Sequence, residues 1–553
     1  MVLTGAEIII EELIRHEVAN VFGYPGGSVL NIYDELYKNS HRVTHILSAH
    51  EQGAAHAADA YARVSGKTGV VIATSGPGAT NLVTGIANAY LDSVPVVFIT
   101  GNVAVPMMGR DSFQEIDILG VTLPIVKHSY VVRDVKDLQF CLREAFLIAN
   151  SGRKGPVLVD IPKNVQQSTC DYDTDLAVTL STGAEWCTDL SGLDEALAAI
   201  KDSRRPFIYF GGGVIASDAG AEVVELSKAL GAPVGASIMG IGAVPASYEW
   251  YLGMCGMHGR YASTIAQSEA DLVIALGVRF SDRSTGNTKE YAKNCKILHI
   301  DIDAAEIGKN VGPDISLCGN LKEILPRLIK EADAKPNEEW LSRIRELKDI
   351  DRAPKNDDFT PRNIIGHVNA FYDDDTVVAT DVGQHQMWVA QFYDFEKPRK
   401  LVTSGGLGTM GFGFGAAIGA SVARGRKRAV LFTSEGSFGM NLTEMATAVV
   451  QNLPITIVLL NNGVLGMVRQ WQTLFFDGRY SQTTLNRKTD FPALAKSFGA
   501  TGYSANTLDE LDSILKSIPD DIGPCLIDCK IDMDEKVFPM IPAGGAVRDI
   551  MTE

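Results

Sequence analysis

The sequence predicts an α/β fold built from three doubly wound parallel sheets, and two observations lead to that prediction. Short apolar runs recur along the chain, and each is bounded by a glycine-rich or polar turn, as buried parallel strands are. Segments with helical apolar spacing separate these runs, which gives the alternation of a parallel α/β sheet. At 553 residues the chain is also too long for a single core. We therefore expect domains at residues 1–165, 186–335 and 360–553.

Composition and charge exclude several classes of protein. The chain has 50 Lys and Arg against 67 Asp and Glu, a net charge of −17, and no long basic run. This balance argues against nucleic acid or an anionic membrane as the main partner. Eight Cys without a CxxC pair indicate reduced thiols. An acidic amphipathic N-terminus and the lack of an uncharged stretch of membrane-spanning length lead us to expect a cytoplasmic enzyme.

The first predicted domain begins with a capping box and continues through several strand ends. Thr4 and Glu7 have the spacing of a capping box at the start of the first helix. Residues 21–28 read as a strand that enters a glycine-rich turn, and the apolar runs 70–73, 94–100 and 157–161 are predicted strands. A second strand-to-helix turn covers residues 74–81. A polar loop at residues 109–115 precedes Lys127 and His128.

Glu51 begins an alanine-rich helix, and the sequence allows two interpretations of its role. The helix dipole favours a carboxylate at that position, so the residue can serve only to start the helix. Alternatively Glu51 is a buried catalytic acid, because the small side chains that follow it suit close packing against a ligand or a partner helix. The sequence by itself leaves both readings open.

The second predicted domain follows a polar linker at about residues 166–187. Its predicted strands are residues 206–210, 271–276 and 296–300. Glycines and charged residues stand at the strand ends, where ligands of doubly wound sheets bind. Arg279, Asp282 and Arg283 belong to one such turn, although they could merely cap a surface turn.

The third predicted domain begins near residue 360, after a charged segment at 334–359 that reads as an exposed helix plus linker. A segment with Gln384 and His385 follows the predicted strand 376–380. Gly406, Gly408 and Gly411 then form a GxGxxG pattern before a Gly/Ala helix. No acid is well placed to bind a ribose, so a diphosphate lying on these backbone amides is favoured over a nicotinamide site.

Residues 434–471 hold the most informative pattern of the chain. The predicted strand 429–432 ends at Ser434-Glu435-Gly436, a helix follows at 441–450, and the strand 455–460 ends at Asn461-Asn462. In a parallel sheet both strand ends emerge at the same edge, so Glu435 and Asn462 can converge there. A carboxylate, an amide oxygen and a backbone carbonyl suit Mg²⁺ that holds a phosphorylated ligand. The alternative is an acidic turn in an ordinary α/β domain.

This pattern is similar to the thiamine-diphosphate (ThDP) motif, Gly-Asp-Gly, a spacer in the mid-twenties and Asn-Asn. Here the spacer, residues 437–460, is 24 residues long, while Ser434 and Glu435 depart from the motif. With Glu51, the SGPGATN turn, the FQE loop, the GQHQM segment and SGGLGTMG in the expected order, essentially the whole chain resembles the acetohydroxyacid synthase (acetolactate synthase) catalytic subunits.

The resemblance implies a ThDP-type fold with a pyrimidine-binding domain, an FAD-carrying central domain and a diphosphate-binding domain. It implies a homodimer or tetramer with shared active sites, and it leaves open whether a small regulatory subunit binds. The reaction would be decarboxylation of pyruvate and carboligation to a second 2-keto acid, pyruvate or 2-ketobutyrate, in branched-chain amino-acid biosynthesis. Glu51 would activate the cofactor ring and Met410 would bend the cofactor. The catalytic residues implied are Glu51, Gln114, Met410, Arg283, Trp471, Lys163 and Phe113.

The resemblance also assigns binding residues. Mg²⁺ would be held by Glu435, Asn462 and the carbonyl of Val464. The residues implied for ThDP are Pro25, Gly26, Pro77, Asn81, Val382, Gly383, Gln384, His385, Gly408, Met410, Gly436, Ser437, Leu465, Gly466, Met467 and Val468. Those implied for FAD are Gly211, Gly212, Gly213, Met257, His258, Gly277, Arg279 and Arg283. Ser281 and Asn320 replace two acids of the family near the flavin.

Two alternatives remain at this point. The first is a flavin-free catabolic acetolactate synthase or another ThDP-dependent decarboxylase or hydrolase. The second is an inactive homologue that acts as a regulatory or binding subunit, which Ser434 and Glu435 suggest. Glu51, Met410, Arg283 and Asn462 are all present and argue against inactivity.

Overall fold

A computed structural model describes residues 1–180, 188–333, 336–351, 357–519 and 522–552. The strands of its N-terminal region are β1 (Val2–Thr4), β2 (Asn20–Tyr24), β3 (Thr44–Leu47), β4 (Gly69–Ala73), β5 (Val96–Asn102), β6 (His128–Val131), β7 (Val157–Pro162) and β8 (Thr169–Asp171). The helices of this region are α1 (Gly5–Arg15), α2 (Leu30–Lys38), α3 (Glu51–Ser65), α4 (Pro77–Asn81), α5 (Val83–Leu91), α6 (Ile118–Thr122), α7 (Val135–Asn150) and α8 (Lys163–Gln167). The predicted capping box is confirmed, because Thr4 Oγ accepts the Glu7 N–H at 3.2 Å and the Glu7 carboxylate accepts the Thr4 N–H at 2.7 Å.

The central region has a sheet of its own. Its strands are β9 (Pro206–Phe210), β10 (Val234–Ala236), β11 (Tyr251–Met254), β12 (Leu272–Leu276), β13 (Lys296–Asp301) and β14 (Ile315–Cys318). Its helices are α9 (Leu193–Asp202), α10 (Gly212–Ala216), α11 (Gly220–Leu230), α12 (Tyr261–Glu269), α13 (Asp282–Thr285), α14 (Leu321–Glu331) and α15 (Glu338–Ile350).

The C-terminal region contains the third sheet. Its strands are β15 (Val377–Thr380), β16 (Leu401–Val402), β17 (Ala429–Thr433), β18 (Ile455–Asn461), β19 (Thr501–Ala505) and β20 (Cys525–Lys530). Its helices are α16 (Pro361–Phe371), α17 (Gln384–Phe392), α18 (Phe412–Ala423), α19 (Glu435–Phe438), α20 (Glu444–Val450), α21 (Gly466–Phe475), α22 (Phe491–Phe498) and α23 (Leu508–Ser517).

The strand orders confirm the predicted fold class. Three six-stranded sheets are parallel throughout, with strand orders 3-2-4-5-7-6, 11-10-9-12-13-14 and 16-15-17-18-20-19. Counted within each region, the first and third sheets have the same order, 2-1-3-4-6-5, and the central sheet has the order 3-2-1-4-5-6. The central order is the one in which dinucleotides bind where the winding direction reverses. The N-terminal and C-terminal regions therefore share a topology.

The N-terminal and C-terminal regions pack together through α3 and α18. Gly415 and Gly419 of α18 lie so close to α3 that a Cβ on either would collide with the backbone of Gly53 or Ala57. The small residues of both helices thus permit a close helix contact, as the alanine-rich sequence of α3 predicted. Near this contact Arg63 of α3 pairs with Asp59 at 2.5 Å and Asp92 at 2.9 Å within the N-terminal region, and its Nη1 donates to the Thr403 carbonyl of the C-terminal region at 3.0 Å.

Two predictions about the connecting segments are corrected. The predicted linker at 166–187 begins with structure, since it includes the end of α8 and all of β8, which pairs with β1; its residues 181–187 lie outside the described part. The charged segment 334–359 was expected to form an exposed helix. Instead α15 buries Trp340, Leu341, Ile344 and Leu347 against the central region. Its apolar residues recur at helical spacing within an otherwise charged composition, which the composition alone conceals.

Within the described residues, no helix is long and apolar enough to cross a membrane.

Candidate active site and cofactor clefts

Glu435 and the Asn461-Asn462 pair meet at one edge of the C-terminal sheet. Strands β17 and β18 are parallel neighbours with Thr433 opposite Leu459, so α19 and the asparagine pair start at the same edge. Glu435 is only 3% exposed, and neither of its carboxylate oxygens has a hydrogen-bond partner among the described residues. Burial raises the pKa of Glu435 to about 7, and the nearby backbone N–H groups of Glu435 itself, Gly463 and Val464, which do not reach hydrogen-bond geometry with the carboxylate, only partly oppose that rise. The acid therefore points toward the turn that Asn462 begins.

The two asparagines have different surroundings. Asn461 Nδ2 donates to Asp528 at 2.9 Å, so this side chain is held inside the sheet. Asn462 Oδ1 accepts the Val464 N–H at 3.2 Å, and its Nδ2 donates to Gln384 Oε1 at 3.3 Å. An unpartnered buried carboxylate beside an amide oxygen and a peptide carbonyl fits a hard divalent cation. The described residues contain no group of three or more His, Cys, Asp or Glu that could hold a metal, so any such site here depends on neutral oxygens as well.

A narrow cleft of about 70 Å³ adjoins this edge. The residues predicted for ThDP and the metal that line it are Val382, Gly383, Gln384, His385, Met410, Asn462, Val464, Leu465, Gly466, Met467 and Val468. His385 is buried, which lowers the pKa of its ring to about 3, and its Nε2 has no partner among the described residues. Ser437 Oγ donates to the Val382 carbonyl at 2.9 Å, and Gly436 packs against Leu465 and Met410. We call Glu435, Asn462 and the residues of this cleft the C-terminal half-site.

The glycines before α18 correct one prediction. The Gly406 N–H donates to Asp92 at 2.7 Å, and the Gly411 N–H donates to Asp381 at 2.7 Å. These amides already bind carboxylates of the protein, so the expectation that a diphosphate rests on all three glycines is wrong for Gly406 and Gly411. Gly408 has a φ of +71°, which favours glycine, and lies beside Val382 at the rim of the cleft.

The catalytic acid predicted in the N-terminal region lies at the carboxyl end of the first sheet. Glu51 is 9% exposed, and its carboxylate accepts a hydrogen bond from Asn81 Nδ2 at 2.9 Å. A Cβ on Gly78 would lie 3.2 Å from Glu51 Oε1, and one on Gly26 would collide with Thr74. The turns that contain Pro25 and Pro77 therefore lie together around Glu51, as the resemblance implied.

The loop with Phe113 and Gln114 reaches the same edge. The backbone of Gln114, which has a φ of +60°, lies against Gly76, and Phe113 is 87% exposed. Lys163 begins α8 directly after β7 and is exposed. We call Glu51, Asn81, the two proline turns, this loop and Lys163 the N-terminal half-site. None of its residues is among the described residues that line the C-terminal cleft.

Arg283 and Trp471 meet between the central and C-terminal regions. The Arg283 guanidinium lies 5.3 Å from the centroid of the Trp471 ring, and its Nη1 contacts Met257 Sδ at 3.3 Å. Arg283 is therefore more than the cap of a surface turn. Its partner Trp471 lies on α21, and the same helix supplies Met467 and Val468 to the cleft. The structure thus brings a cation and an aromatic ring to the side of the C-terminal half-site.

A larger cleft of about 370 Å³ opens at the reversal point of the central sheet. Of the residues predicted for FAD, those lining it are Gly212, Gly213, Gly277 and Arg279. A Cβ on Gly213 would lie 2.6 Å from Gly277 Cα, so the two turns touch. Gly211 packs against Gly277 but does not line the cleft. Met257, His258 and Arg283, which were also predicted for FAD, are not among the lining residues either. Asn320, which stands in place of an acid, caps α14 by accepting the Lys322 N–H at 3.0 Å.

Two residues at these clefts were assigned no role from the sequence. Asp301 ends β13 in the central cleft, where burial raises the pKa of its carboxyl to about 6. Gln470 Oε1 accepts a hydrogen bond from Gln384 Nε2 at 3.1 Å and so fixes the orientation of the Gln384 side chain, which lines the C-terminal cleft. The position of Asp301 at a strand end was a usable signal. Gln470 gave none, because its partners lie far away along the chain.

Comparison with known proteins agrees with this geometry. Three models of thiamine pyrophosphate (thiamine diphosphate) enzymes match the chain: the N-terminal TPP binding domain at residues 3–121, the central domain at 193–328 and the C-terminal TPP binding domain at 381–529. The chain is 42% identical over 553 residues to the acetolactate synthase isozyme 1 large subunit of Escherichia coli, with 100% of this chain and 98% of the relative covered. The acetolactate synthase large subunit of Porphyra purpurea is 43% identical, with 98% and 94% covered.

The chain belongs to the acetolactate synthase large-subunit family. The resemblance seen in the sequence is thereby confirmed, and so is the assignment to ThDP enzymes. In this family member both TPP binding domains contain a half-site: Glu51 lies in the first, and Glu435 and Asn462 lie in the second.

Proposed function

We propose that the protein is an acetolactate synthase that decarboxylates pyruvate and joins the two-carbon unit to a second 2-keto acid. Pyruvate as acceptor gives 2-acetolactate, and 2-ketobutyrate gives 2-aceto-2-hydroxybutyrate, both in branched-chain amino-acid biosynthesis. The observation that carries the proposal is the buried, unpartnered Glu435 carboxylate beside Asn462, next to a cleft lined by the expected ThDP residues. When bound, ThDP supplies the electron sink that accepts the carbanion left by loss of CO₂.

Glu435, Asn462 and the Val464 carbonyl would hold Mg²⁺. Asn462 Oδ1 already accepts the Val464 N–H, and its second lone pair remains for a cation. Glu435 is one methylene longer than the usual aspartate, and we propose that it still ligates the ion directly. The flanking Ser434 and Gly436 allow the backbone to adjust for the extra length.

The diphosphate would lie between Gln384, His385 and the start of α21. Helix α21 has ten residues, and its first N–H groups, at Gly466 and beyond, favour an anion. Because burial lowers the pKa of His385 to about 3, its ring is neutral at physiological pH. Its unpartnered Nε2 could therefore form a hydrogen bond with the diphosphate without adding a positive charge to the site.

Two copies of the chain would complete the site. The cleft of about 70 Å³ accommodates only one end of a cofactor, and its described lining contains no residue of the N-terminal half-site. Apolar side chains around both half-sites are exposed, among them Leu30, Leu47, Phe113 and Met440. We therefore propose a homodimer or tetramer in which Glu51 of one copy activates the cofactor that the other copy binds, and Met410 bends it.

The second 2-keto acid would bind at Arg283. A guanidinium can bind a carboxylate through two hydrogen bonds, which orients the keto carbon for attack. Trp471 and Met467 would form the apolar walls for the acceptor side chain, and Phe113, Gln114 and Lys163 would approach from the other copy.

FAD would occupy the central cleft. Its volume of about 370 Å³, the dinucleotide-binding strand order and the touching glycine turns at Gly213 and Gly277 fit a dinucleotide. The visible spectrum of the purified protein tests this proposal. A flavin spectrum is expected, and a colourless protein that still forms acetolactate would favour a flavin-free synthase.

The remaining partners and the compartment are also proposals. The relatives are named large subunits, which supports binding of a small regulatory subunit. Reduced thiols would suit the cytoplasm; the seven cysteines in the described part are all free.

Acetolactate formation from pyruvate, ThDP and Mg²⁺ tests the function. The wild-type protein should form acetolactate, and Glu51→Gln should abolish turnover while cofactor binding persists. If the protein binds the cofactor but forms no acetolactate, the result would support the alternative hypothesis that it is a binding or regulatory homologue. Unchanged turnover of Glu51→Gln would contradict the role of this acid.

A further inference from the structure

Helix α3, which carries Glu51, begins against a carboxylate from the C-terminal region of the same chain. Glu444 is fully buried. Its Oε1 accepts the His50 N–H at 3.0 Å, and its Oε2 accepts the Ala49 N–H at 3.2 Å. The Thr447 hydroxyl also donates to Oε2 at 2.7 Å. A side chain nearly 400 residues away in sequence thus binds the two peptide groups immediately before Glu51.

The first turn of α3 is shaped around this carboxylate. His50 caps the helix with its ring, because Nδ1 accepts the Gln52 N–H at 3.1 Å. Its own N–H and that of Ala49 precede the first turn and are the groups that Glu444 binds. A Cβ on Gly53 would collide with the Glu444 carboxylate, so the glycine at this point leaves room for Glu444 in its observed position. A carboxylate at a helix N-terminus is also favoured by the helix dipole.

The contact fixes the backbone from which Glu51 projects. Glu51 is the first residue of α3, and its carboxylate must meet Asn81 at 2.9 Å while it faces the cofactor. Catalytic geometry is sensitive, because a shift of about 1 Å can cost about 100-fold in rate. A side chain that holds residues 49 and 50 therefore acts on the direction in which Glu51 points.

We propose that Glu444 is a positioning residue for cofactor activation and acts through Glu51. The inference rests on the proposed role of Glu51. Glu444 lies nine residues after Glu435, so a single segment of the chain contains the metal ligand for one cofactor and the support for the acid that activates another. Glu444 touches neither substrate nor cofactor within this arrangement.

Exchange of the proton on the reactive ThDP carbon tests the proposal. The enzyme, loaded with ThDP and Mg²⁺, is mixed with D₂O, quenched with acid and read by proton NMR. Glu444→Gln should lower the exchange rate by about tenfold or more, as loss of charge-assisted hydrogen bonds does. Calorimetry should show Mg²⁺-dependent ThDP binding within about twofold of wild type, because the C-terminal half-site is untouched.

A double-mutant cycle separates positioning from a general loss of structure. In a Glu51→Gln background, adding Glu444→Gln should not slow the exchange further, because Glu444 acts only through Glu51. Wild-type exchange in Glu444→Gln would overturn the inference, as would an equal loss in both backgrounds. If Glu51→Gln itself leaves exchange unchanged, the proposed function of Glu51 fails instead.

A milder pair of variants covers the case in which Glu444→Gln does not fold. Thr447→Val removes one hydrogen bond to Glu444 and should slow the exchange about threefold. Thr443→Val makes the same chemical change one turn earlier, at an exposed position without a side-chain hydrogen bond to the helix start, and should leave the rate unchanged. Equal rates in the two variants would overturn the inference.

Discussion

Replacing Arg283 by Gln should weaken capture of the second 2-keto acid and leave the cofactor in place. The Arg283 guanidinium lies 5.3 Å from the Trp471 ring centroid, and its side chain is 56% exposed. Its carboxylate neighbour Asp282 is 3.7 Å away and is itself 83% exposed, so it neutralises the guanidinium only weakly. The guanidinium is therefore available for an anionic substrate.

The size of the effect follows from the contacts that an arginine can make. Two charge-assisted hydrogen bonds to a substrate carboxylate, reduced by solvent around a half-exposed side chain, are worth about 2 kcal/mol. Since 1.4 kcal/mol is tenfold in rate, Arg283→Gln should lower kcat/KM for pyruvate about 30-fold. Arg283→Lys keeps the charge but loses the planar pair of donors, and should recover only part of this loss.

Steady-state acetolactate formation over a range of pyruvate concentrations measures the effect. Arg548→Gln is the matched control, because it also removes one positive charge, from an exposed pair with Glu290 of the central region at 3.1 Å. A kcat/KM for Arg283→Gln within about twofold of wild type would show that Arg283 does not bind the substrate carboxylate. An equal loss in Arg548→Gln would assign the effect to net charge.

Three further predictions concern the acceptor wall, the central cleft and acid stability. Trp471→Leu should change the ratio of 2-aceto-2-hydroxybutyrate to 2-acetolactate formed from mixed substrates. An unchanged ratio would show that the Trp471 ring does not line the acceptor pocket. Gly213→Val should expel flavin, because its Cβ would lie 2.6 Å from Gly277 Cα; retention of the wild-type flavin spectrum would contradict this placement. Burial lowers the pKa of His45, which bonds Tyr33, from 6.5 to about 4. Because the folded pKa lies below the unfolded one, this stabilisation is complete above pH 6.5 and is lost as the pH falls toward 4, by about 2 kcal/mol at pH 5. His45→Gln should make denaturant unfolding less dependent on pH between 7 and 5, and equal dependence in both proteins would contradict the assignment.

The sequence predicted the elements that depend on local pattern. The apolar runs before Glu435 and Asn462 are buried strands, and the fixed spacing brought both residues to one sheet edge. The capping box at Thr4 and the start of α3 at Glu51 were also predictable, because both depend on a few adjacent residues.

What the sequence could not predict depends on contacts between distant parts of the chain. Asp92 binds the amide of Gly406 more than 300 residues away, so the glycine pattern alone suggested the wrong partner for that amide. Glu444 lies within the predicted helix 441–450 and carries no distinguishing signal there, yet it binds the residues before Glu51. Neither pairing leaves a periodic signal, because each joins regions whose relative position is set only by the packed fold.

The metal site is tested most directly by crystals grown with ThDP and Mn²⁺ in place of Mg²⁺. We expect an anomalous peak about 2.0–2.3 Å from a Glu435 carboxylate oxygen, from Asn462 Oδ1 and from the Val464 carbonyl, with the ion also bound to the diphosphate. A peak that only water separates from Glu435, or bound ThDP with no ion at this sheet edge, would contradict it.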